Sequence, residues 1–295
     1  MIKIYNRKTQ QYEIEKVAGG TVLNALYNSP IGKVGLELLV KRKAYSALTG
    51  ILCDMGVSAK KIKSFIEDFN INMSESIQQA VDFKSFNEFF IRKLKPEARV
   101  FDADPDLLPA PGDGRLSAWT NIDINKLVQV KGMEYSLREL LLNDPLAAKY
   151  KEGTCLILRL APVDYHRFHF LDHGVCTESK KINGCYYSVN PVALSSITKV
   201  FCQNKREYSV LKSENFGDVL YMEVGATSVG SIVQTYKPGI PVKKGEEKGY
   251  FKFGGSTVIL FFEKGTVKLD QSILEQTNLG FETRVLAGET IGKKY

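Results

Sequence analysis

Three short segments of this chain bring together residue types that could form a reaction centre. All three histidines, His166, His169 and His173, fall within eight residues in LAPVDYHRFHFLDHG. An H-x-x-H pair can serve as acid and base, can ligate a metal, or can be two packed side chains, and the spacing leaves those alternatives open. Catalytic zinc needs a third protein ligand and no Glu occupies the H-E-x-x-H position, so no metal is expected. Ser256 follows two glycines in KFGGSTVIL. A Gly-Gly step allows backbone conformations closed to other residues and leaves the neighbouring carbonyl open to approach, although a tight turn or bulge has the same requirement. The hydrolase elbow Gly-x-Ser-x-Gly does not occur at this serine. Asp113 stands between Gly112 and Gly114 in LPAPGDGRLS, a turn in which a carboxylate commonly bonds to local backbone. Asp113, His169 and Ser256 together supply a carboxylate, a base and a nucleophile, the parts of a triad in an unfamiliar order.

Two kinds of element must position these groups. The first hundred residues read as helical: Ile62, Phe65, Ile66 and Phe69 recur at i, i+3, i+4 and i+7, beside Lys60, Lys61 and Lys63. Leu38, Tyr45, Leu48 and Leu52 share a similar face near Lys41, Arg42 and Lys43. Such basic amphipathic helices either lie in a membrane interface or pack on their own core. A further helix carries Phe86, Phe89, Phe90 and Leu94 and is predicted to end at Pro96. From about residue 100 the pattern changes to short β-rich runs, at 154–160, 184–189, 219–224, 231–236, 250–253, 257–262, 266–269 and 282–286. Gly, Pro, Asn and Asp punctuate them, and a helical stretch at 136–143 interrupts them. The class predicted is α+β, a helical N-terminal region (1–99) followed by a β-rich, barrel- or sandwich-like core of short strands (100–295).

Composition excludes several classes. The 295 residues are 44% hydrophobic and 25% charged, with 16 Phe and 14 Tyr against 10 Pro, which argues against disorder and low-complexity architectures. The five cysteines form no C-x-x-C pair, so neither a disulfide framework nor a zinc ribbon is indicated, and a reducing compartment fits. No apolar run approaches the roughly 18–20 residues of a spanning helix, and the first residues lack a signal-peptide core. Of the net charge of +7, six units sit in residues 1–99, where 16 Lys and Arg face 10 Asp and Glu. A basic region of this kind suits an anionic partner.

At this point the sequence resembles the phosphatidylserine decarboxylases over most of its length. FNEFFIRKLKPEARVFD (86–102) is similar to that family's helical lead-in. PGDGRLS, VKGMEYSLRELL, LAPVDYHRFH, YYSVNPVALS, VGATSVGSI and GYFKFGGSTVILFF are similar to its core blocks, in the family's order. Two departures are visible: Gly-Asp-Gly stands where the family commonly has Ala-Asp-Gly, and Gly-Gly-Ser-Thr where it commonly has Leu-Gly-Ser-Thr. The second resembles a subgroup pattern.

The resemblance implies a proenzyme that cuts its own chain. Ser256 would attack the Gly255 carbonyl with Asp113 and His169 assisting, giving a β chain of residues 1–255 and an α chain of residues 256–295 that stay together as a heterodimer. Elimination from the ester and hydrolysis would leave a pyruvoyl group in place of Ser256. By the resemblance, that cofactor forms a Schiff base with phosphatidylserine, and His166 serves the decarboxylation and reprotonation that yield phosphatidylethanolamine and CO2. His173 matches no motif position and is assigned a structural role, while the part played by Thr257 is left open. A lipid substrate favours the interfacial reading of the basic helices: peripheral attachment to an anionic membrane on its cytoplasmic face, mainly through residues 30–95. No nucleic-acid partner is expected, and a higher oligomer is left open. The alternatives are a serine hydrolase using Ser256, His169 and Asp113, and a lipoyl- or biotinyl-like binding module.

Overall fold

A computed structural model describes residues 2–16, 27, 29, 43–130, 133–226 and 231–295. Among the described residues, three α-helices precede the β core: α1 (Lys43–Asp54), α2 (Ile62–Phe69) and α3 (Phe86–Phe90). A fourth, α4 (Gln271–Asn278), lies near the end of the chain. The strands that matter to the site are, in chain order, β1 (Lys3–Asn6), β2 (Gln11–Ile14), β3 (Gly114–Thr120), β4 (Thr154–Leu160), β5 (Arg167–His169), β6 (Gly174–Cys176) and β7 (Lys180–Ile182). They continue as β8 (Arg206–Ser213), β9 (Asp218–Gly225), β10 (Ile232–Gln234), β11 (Pro241–Val242), β12 (Glu247–Phe251), β13 (Ser256–Phe262) and β14 (Glu282–Val285).

The large sheet runs β11-β6-β8-β9-β13-β4-β3-β14-β1-β2, with β7 also paired to β8. Every residue of β4 (TCLILRL) and β13 (STVILFF) is buried. Apolar packing covers both faces: Cys155, Ile157, Ile259 and Phe261 join one core cluster, and Leu156, Leu158, Val258 and Leu260 join the other. Strands buried on both sides read as continuous apolar runs rather than alternating ones. A second sheet, β10-β12-β5, carries the histidine segment, and a third joins Val267–Leu269, Thr290–Lys294 and Leu107–Pro109.

The α+β class agrees with this architecture, but the large sheet is not a barrel. Among the described residues its path has two free ends, the exposed hairpin strand β2 and the two-residue β11. Three element boundaries also differ from expectation. The segment 184–189 is not a strand: Cys185 makes one parallel bridge to Asn204. The Asn204 amide replaces a ladder partner there, accepting from the Tyr187 N–H at 2.9 Å and donating to the Tyr187 carbonyl at 2.7 Å. The helix expected to run to Pro96 stops at Phe90. Residues beyond it pair instead with an earlier segment, Ile77 N–H to the Lys93 carbonyl and Lys95 N–H to the Glu75 carbonyl. The helical stretch expected at 136–143 is the single turn Leu137–Leu140, closed by a capping box between Ser136 and Glu139.

The two apolar stripes of the N-terminal region have different fates. The stripe of α2 packs inward: Ile62 is buried with Phe83, Phe86, Phe89 and Phe90, and Phe65 and Ile66 lie against that cluster. Leu48 and Leu52 of α1 are exposed. Leu38, Lys41, Arg42 and the Tyr45 and Lys43 side chains lie outside the described residues.

Candidate active site

Ser256 opens the central strand β13, opposite Gly225 of β9 on one side and Leu160 of β4 on the other. The approach to it is narrow. A Cβ built on Gly255 would meet Val189 Cγ2 at 3.3 Å and Ala226 Cβ at 3.4 Å, and Gly254 has φ +143°, a region that favours glycine. Phe253, just before the glycines, is clamped by the helical layer. Its N–H donates to Asn87 Oδ1 at 2.8 Å, and its ring lies 5.1 Å from the rings of both Phe86 and Phe90. Lys252 pairs with Asp54 at the end of α1, and Asn87 Nδ2 donates to that same aspartate. The N-terminal helices therefore fix the run into Gly255–Ser256 directly.

The Ser256 hydroxyl lies 3.3 Å from Nδ1 of His166, with both side chains fully buried. The other imidazole nitrogen, Nε2, is 3.0 Å from the Ala161 carbonyl, an acceptor only. Nε2 must carry the proton, which leaves a lone pair on Nδ1 facing the serine. Phe90 stacks on the ring at 3.9 Å and holds its plane. Burial pushes the His166 pKa down to about 3, with the Arg92 and Arg115 charges adding to the effect and Asp164 opposing it. The imidazole is a neutral proton acceptor at physiological pH.

His169 sits at the end of β5, opposite Glu247 of β12. Its Nδ1 donates to the Gly245 carbonyl at 2.9 Å, and its Nε2 is buried with no hydrogen-bond partner. The rings of Phe101 and Tyr165 flank it. Burial lowers its pKa, while the Gly245 hydrogen bond and the charges of Glu247 and Asp113 oppose that shift. Its N–H donates to the Pro111 carbonyl at 2.7 Å, which ties the Asp113 turn to this strand.

The Asp113 carboxylate is held by Arg99 through two contacts, Nε at 2.8 Å and Nη2 at 2.6 Å, and by the Ala287 N–H at 2.9 Å. Gly114 makes that turn fit: a Cβ there would stand 2.6 Å from the Arg159 carbonyl. Of the residues singled out in the sequence, the structure therefore joins Ser256 directly to His166, while Asp113 and His169 bond to other partners. Thr257 alternates to the opposite face of β13, across from Arg159, with its hydroxyl buried and unpartnered. His173 precedes β6, and its carbonyl accepts from the Glu214 N–H. No group of three or more His, Cys, Asp or Glu that could hold a metal occurs among the described residues.

Three charged residues at the site were not singled out from the sequence: Arg92, Arg99 and Asp164. Asp164 accepts from the Ala161 N–H at 2.7 Å and pairs with Arg115. Burial raises its pKa, but Arg115 outweighs that and the net shift is downward. A buried ionic chain continues from it through Arg115, Glu15, Arg159 and Glu282. The only sequence signal for these residues is a charge set among apolar neighbours, as in FFIRKL and APVDYH, which is too common to single them out.

The phosphatidylserine decarboxylase family model matches residues 86–293. A phosphatidylserine decarboxylase proenzyme of Ruminiclostridium cellulolyticum is 64% identical across 99% of this chain and 97% of its own. Proenzymes with the same name from Clostridium perfringens and Clostridium botulinum are each 60% identical over the full length of both chains. A buried serine after two glycines, faced by an unprotonated imidazole nitrogen, thus occurs in a chain that belongs to the phosphatidylserine decarboxylase family.

Proposed function

We propose that this chain is a proenzyme that cuts itself between Gly255 and Ser256 and then converts phosphatidylserine to phosphatidylethanolamine and CO2. The observation that carries this reading is the Ser256 hydroxyl, fully buried and 3.3 Å from a lone-pair-bearing nitrogen of His166. Ser256 is at 0% exposure with its own chain beside it, which favours self-attack over the serine hydrolase reading.

In the cut, Oγ adds to the Gly255 carbonyl carbon, and the peptide C–N bond breaks to give an ester. Elimination breaks the Cβ–Oγ bond, leaving Gly255 with a free carboxylate and residue 256 as dehydroalanine. Water then replaces the nitrogen, releasing ammonia and leaving pyruvoyl. The residues present fit that product, because glycine at 255 leaves the attacked carbon unobstructed and β13 holds residue 256 inside the sheet. The pyruvoyl group supplies an electron sink for the carbanion left as CO2 departs. The family resemblance supports Asp113 and His169 as the partners of Ser256 in the cut, with His166 moving the proton at the substrate's α-carbon. The Ser256–His166 contact favours a second assignment, in which His166 also takes the serine proton. After the cut, β13 would remain between β9 and β4, so residues 256–295 and 1–255 would stay together as one heterodimer.

Attachment to the membrane would be peripheral. No helix among the described residues is long and apolar enough to cross a bilayer. The substrate's acyl chains nevertheless require an approach to the lipid surface, for which the basic helices within residues 30–95 are proposed.

Intact mass under denaturing conditions tests the reading. Two species are expected from the parent chain, one ending at Gly255 and one beginning with pyruvoyl, and a single uncut chain from Ser256→Ala. His169→Ala is expected to remain uncut and His166→Ala to cut but decarboxylate poorly. An uncut His166→Ala would select the second assignment. A parent chain that stays whole would refute the proposed cofactor.

A further inference from the structure

Among the arginines around the site, one lacks an anion. Arg99 holds Asp113 and Glu75, Arg115 holds Glu15 and Asp164, Arg159 holds Glu15 and Glu282, and Arg167 holds Glu247. Arg92 is 6% exposed, and its Nε and Nη1 are buried with no hydrogen-bond partner among the described residues. The guanidinium lies over the Phe89 ring at 5.1 Å. The three carboxylates whose charge reaches it, Asp113, Asp164 and Glu75, bond to Arg99 and Arg115 instead.

Its place in the chain is fixed by the contacts of its neighbours with the histidine segment. Residues 90–92 are bound to 166–167 by two independent contacts: the Phe90 ring stacks on His166 at 3.9 Å, and the Ile91 carbonyl accepts from Arg167 Nε and Nη2 at 2.9 and 2.7 Å. Arg92 is the next residue, and its charge is felt at His166, whose Nδ1 faces Ser256. Burying a guanidinium without an anion is costly, and its hydrogens are strong donors that seek oxygen pairs. A buried cation left unpaired within electrostatic reach of the imidazole that faces the nucleophile, with the nearby carboxylates already engaged, fits a site that receives its anion from the ligand.

We infer that Arg92 is a substrate-binding residue that receives an anionic oxygen group of the serine headgroup, its carboxylate or its phosphodiester. This rests on the proposed function and deepens it, because it assigns a headgroup contact at the same site. An amine held at residue 256 carries both anions within a few bonds, so either could reach a guanidinium placed beside His166.

The test uses the full chain with Arg92→Met and Arg92→Lys. For each variant the cut fraction is read by intact mass, and KM and kcat are measured on phosphatidylserine in mixed micelles. Inhibition by phosphatidylethanolamine, which has the phosphodiester but no carboxylate, is measured alongside. Both variants are expected to cut. Arg92→Met should raise KM about ten- to hundredfold with kcat little changed, as expected for loss of one charge-assisted hydrogen-bonded contact made equally in ground and transition states. Arg92→Lys, which keeps the charge and loses the fork, should fall between it and the parent. If phosphatidylethanolamine inhibition weakens by the same factor, the phosphodiester is the ligand; if it is unchanged, the carboxylate is. A KM within about twofold of the parent in Arg92→Met, or two variants that both stay uncut, would overturn the assignment. A parent that cuts itself yet leaves phosphatidylserine untouched would instead overturn the function reading.

Discussion

A proton on His166 would add a third positive charge to those of Arg92 and Arg115, in a pocket where the ring is stacked on Phe90 and closed to solvent. The unfolded chain carries no such penalty and takes its proton near the ordinary value of 6.5. Between about 6.5 and about 3 the unfolded state thus binds more protons than the folded one, so the contribution of this residue is fully present above 6.5 and is lost as pH falls. The slope from one such group is at most about 1.4 kcal/mol per pH unit. In the Ser256→Ala chain, expected to remain a single piece, adding His166→Gln should flatten the fall of the urea midpoint between pH 7 and pH 4.5. Equal slopes with and without the substitution would mean that His166 is not held neutral by its surroundings. At this scale the sequence was partly readable. The glycines before Ser256 and the H-x-x-H pair were visible as candidates, although a turn or a packed pair would use the same residues, and it was the several family-like blocks together that singled them out. Which imidazole meets the serine was not readable, since that depends on strand register and on the Ala161 carbonyl fixing one tautomer.

Strands β9 and β12 belong to different sheets, and one buried ion pair joins them. Lys248 Nζ lies 2.8 Å from Glu223 Oε1 with both side chains at zero exposure, and it also donates to Gln234 Oε1 at 2.9 Å. The rings of Phe168, Tyr221 and Tyr236 surround the ammonium. Glu223 is two residues from Gly225, the register partner of Ser256, and Lys248 adjoins Glu247, the register partner of His169. The neighbouring Tyr221 hydroxyl accepts from the Leu171 N–H and donates to the His169 carbonyl. The pair therefore sets how the serine strand and the histidine strand meet. Removing one partner strands the other charge in the core, so Lys248→Met should cost about 3–5 kcal/mol in urea unfolding of the Ser256→Ala chain. Adding Glu223→Gln to it should restore most of that loss, and a double variant no better than the single one would show that the charges are not coupled. Nothing in the sequence announced this pair, since EKGYF and MEVGA read as ordinary strand edges. The same scale explains which strands were legible. TCLILRL and STVILFF each carry an unbroken apolar run, Cys155–Leu158 and Val258–Phe262, because both faces are buried. REYSVLKS of β8 carries charged and polar residues along a mostly buried strand and gave no such run.

For the whole molecule, the open question is how a core that buries its serine reaches a lipid. The α2 stripe is committed to the protein interior, which leaves α1 and the turn after it. Leu48, Ile51, Leu52 and Met55 fall at i, i+3, i+4 and i+7, and all are exposed, Ile51 at 61% and Val57 beyond them at 61%. Exposed Lys60, Lys61 and Lys63 follow in the next turns. An apolar stripe rimmed by lysines suits an anionic interface, with apolar side chains entering the headgroup boundary and the charges remaining among the phosphates. The end of α1 is also where Asp54 holds Lys252 and Asn87, so a helix seated on lipid would bring the segment before Gly255 close to the membrane. Burying a Leu or Ile fully contributes about 1.5–3 kcal/mol, and each lysine near an anionic surface about 1 kcal/mol. Replacing Ile51 and Leu52 together by Glu should therefore lower flotation with phosphatidylserine vesicles by at least about tenfold, even where insertion is partial. Raising the salt should weaken binding of the parent but leave the residual apolar part. Self-cutting should be unaffected, because neither side chain touches the site. If the double variant floats like the parent, α1 is not the anchor and the contact lies elsewhere on the chain. If the parent binds neutral vesicles equally well at high salt, the lysines are not what draws it to the surface.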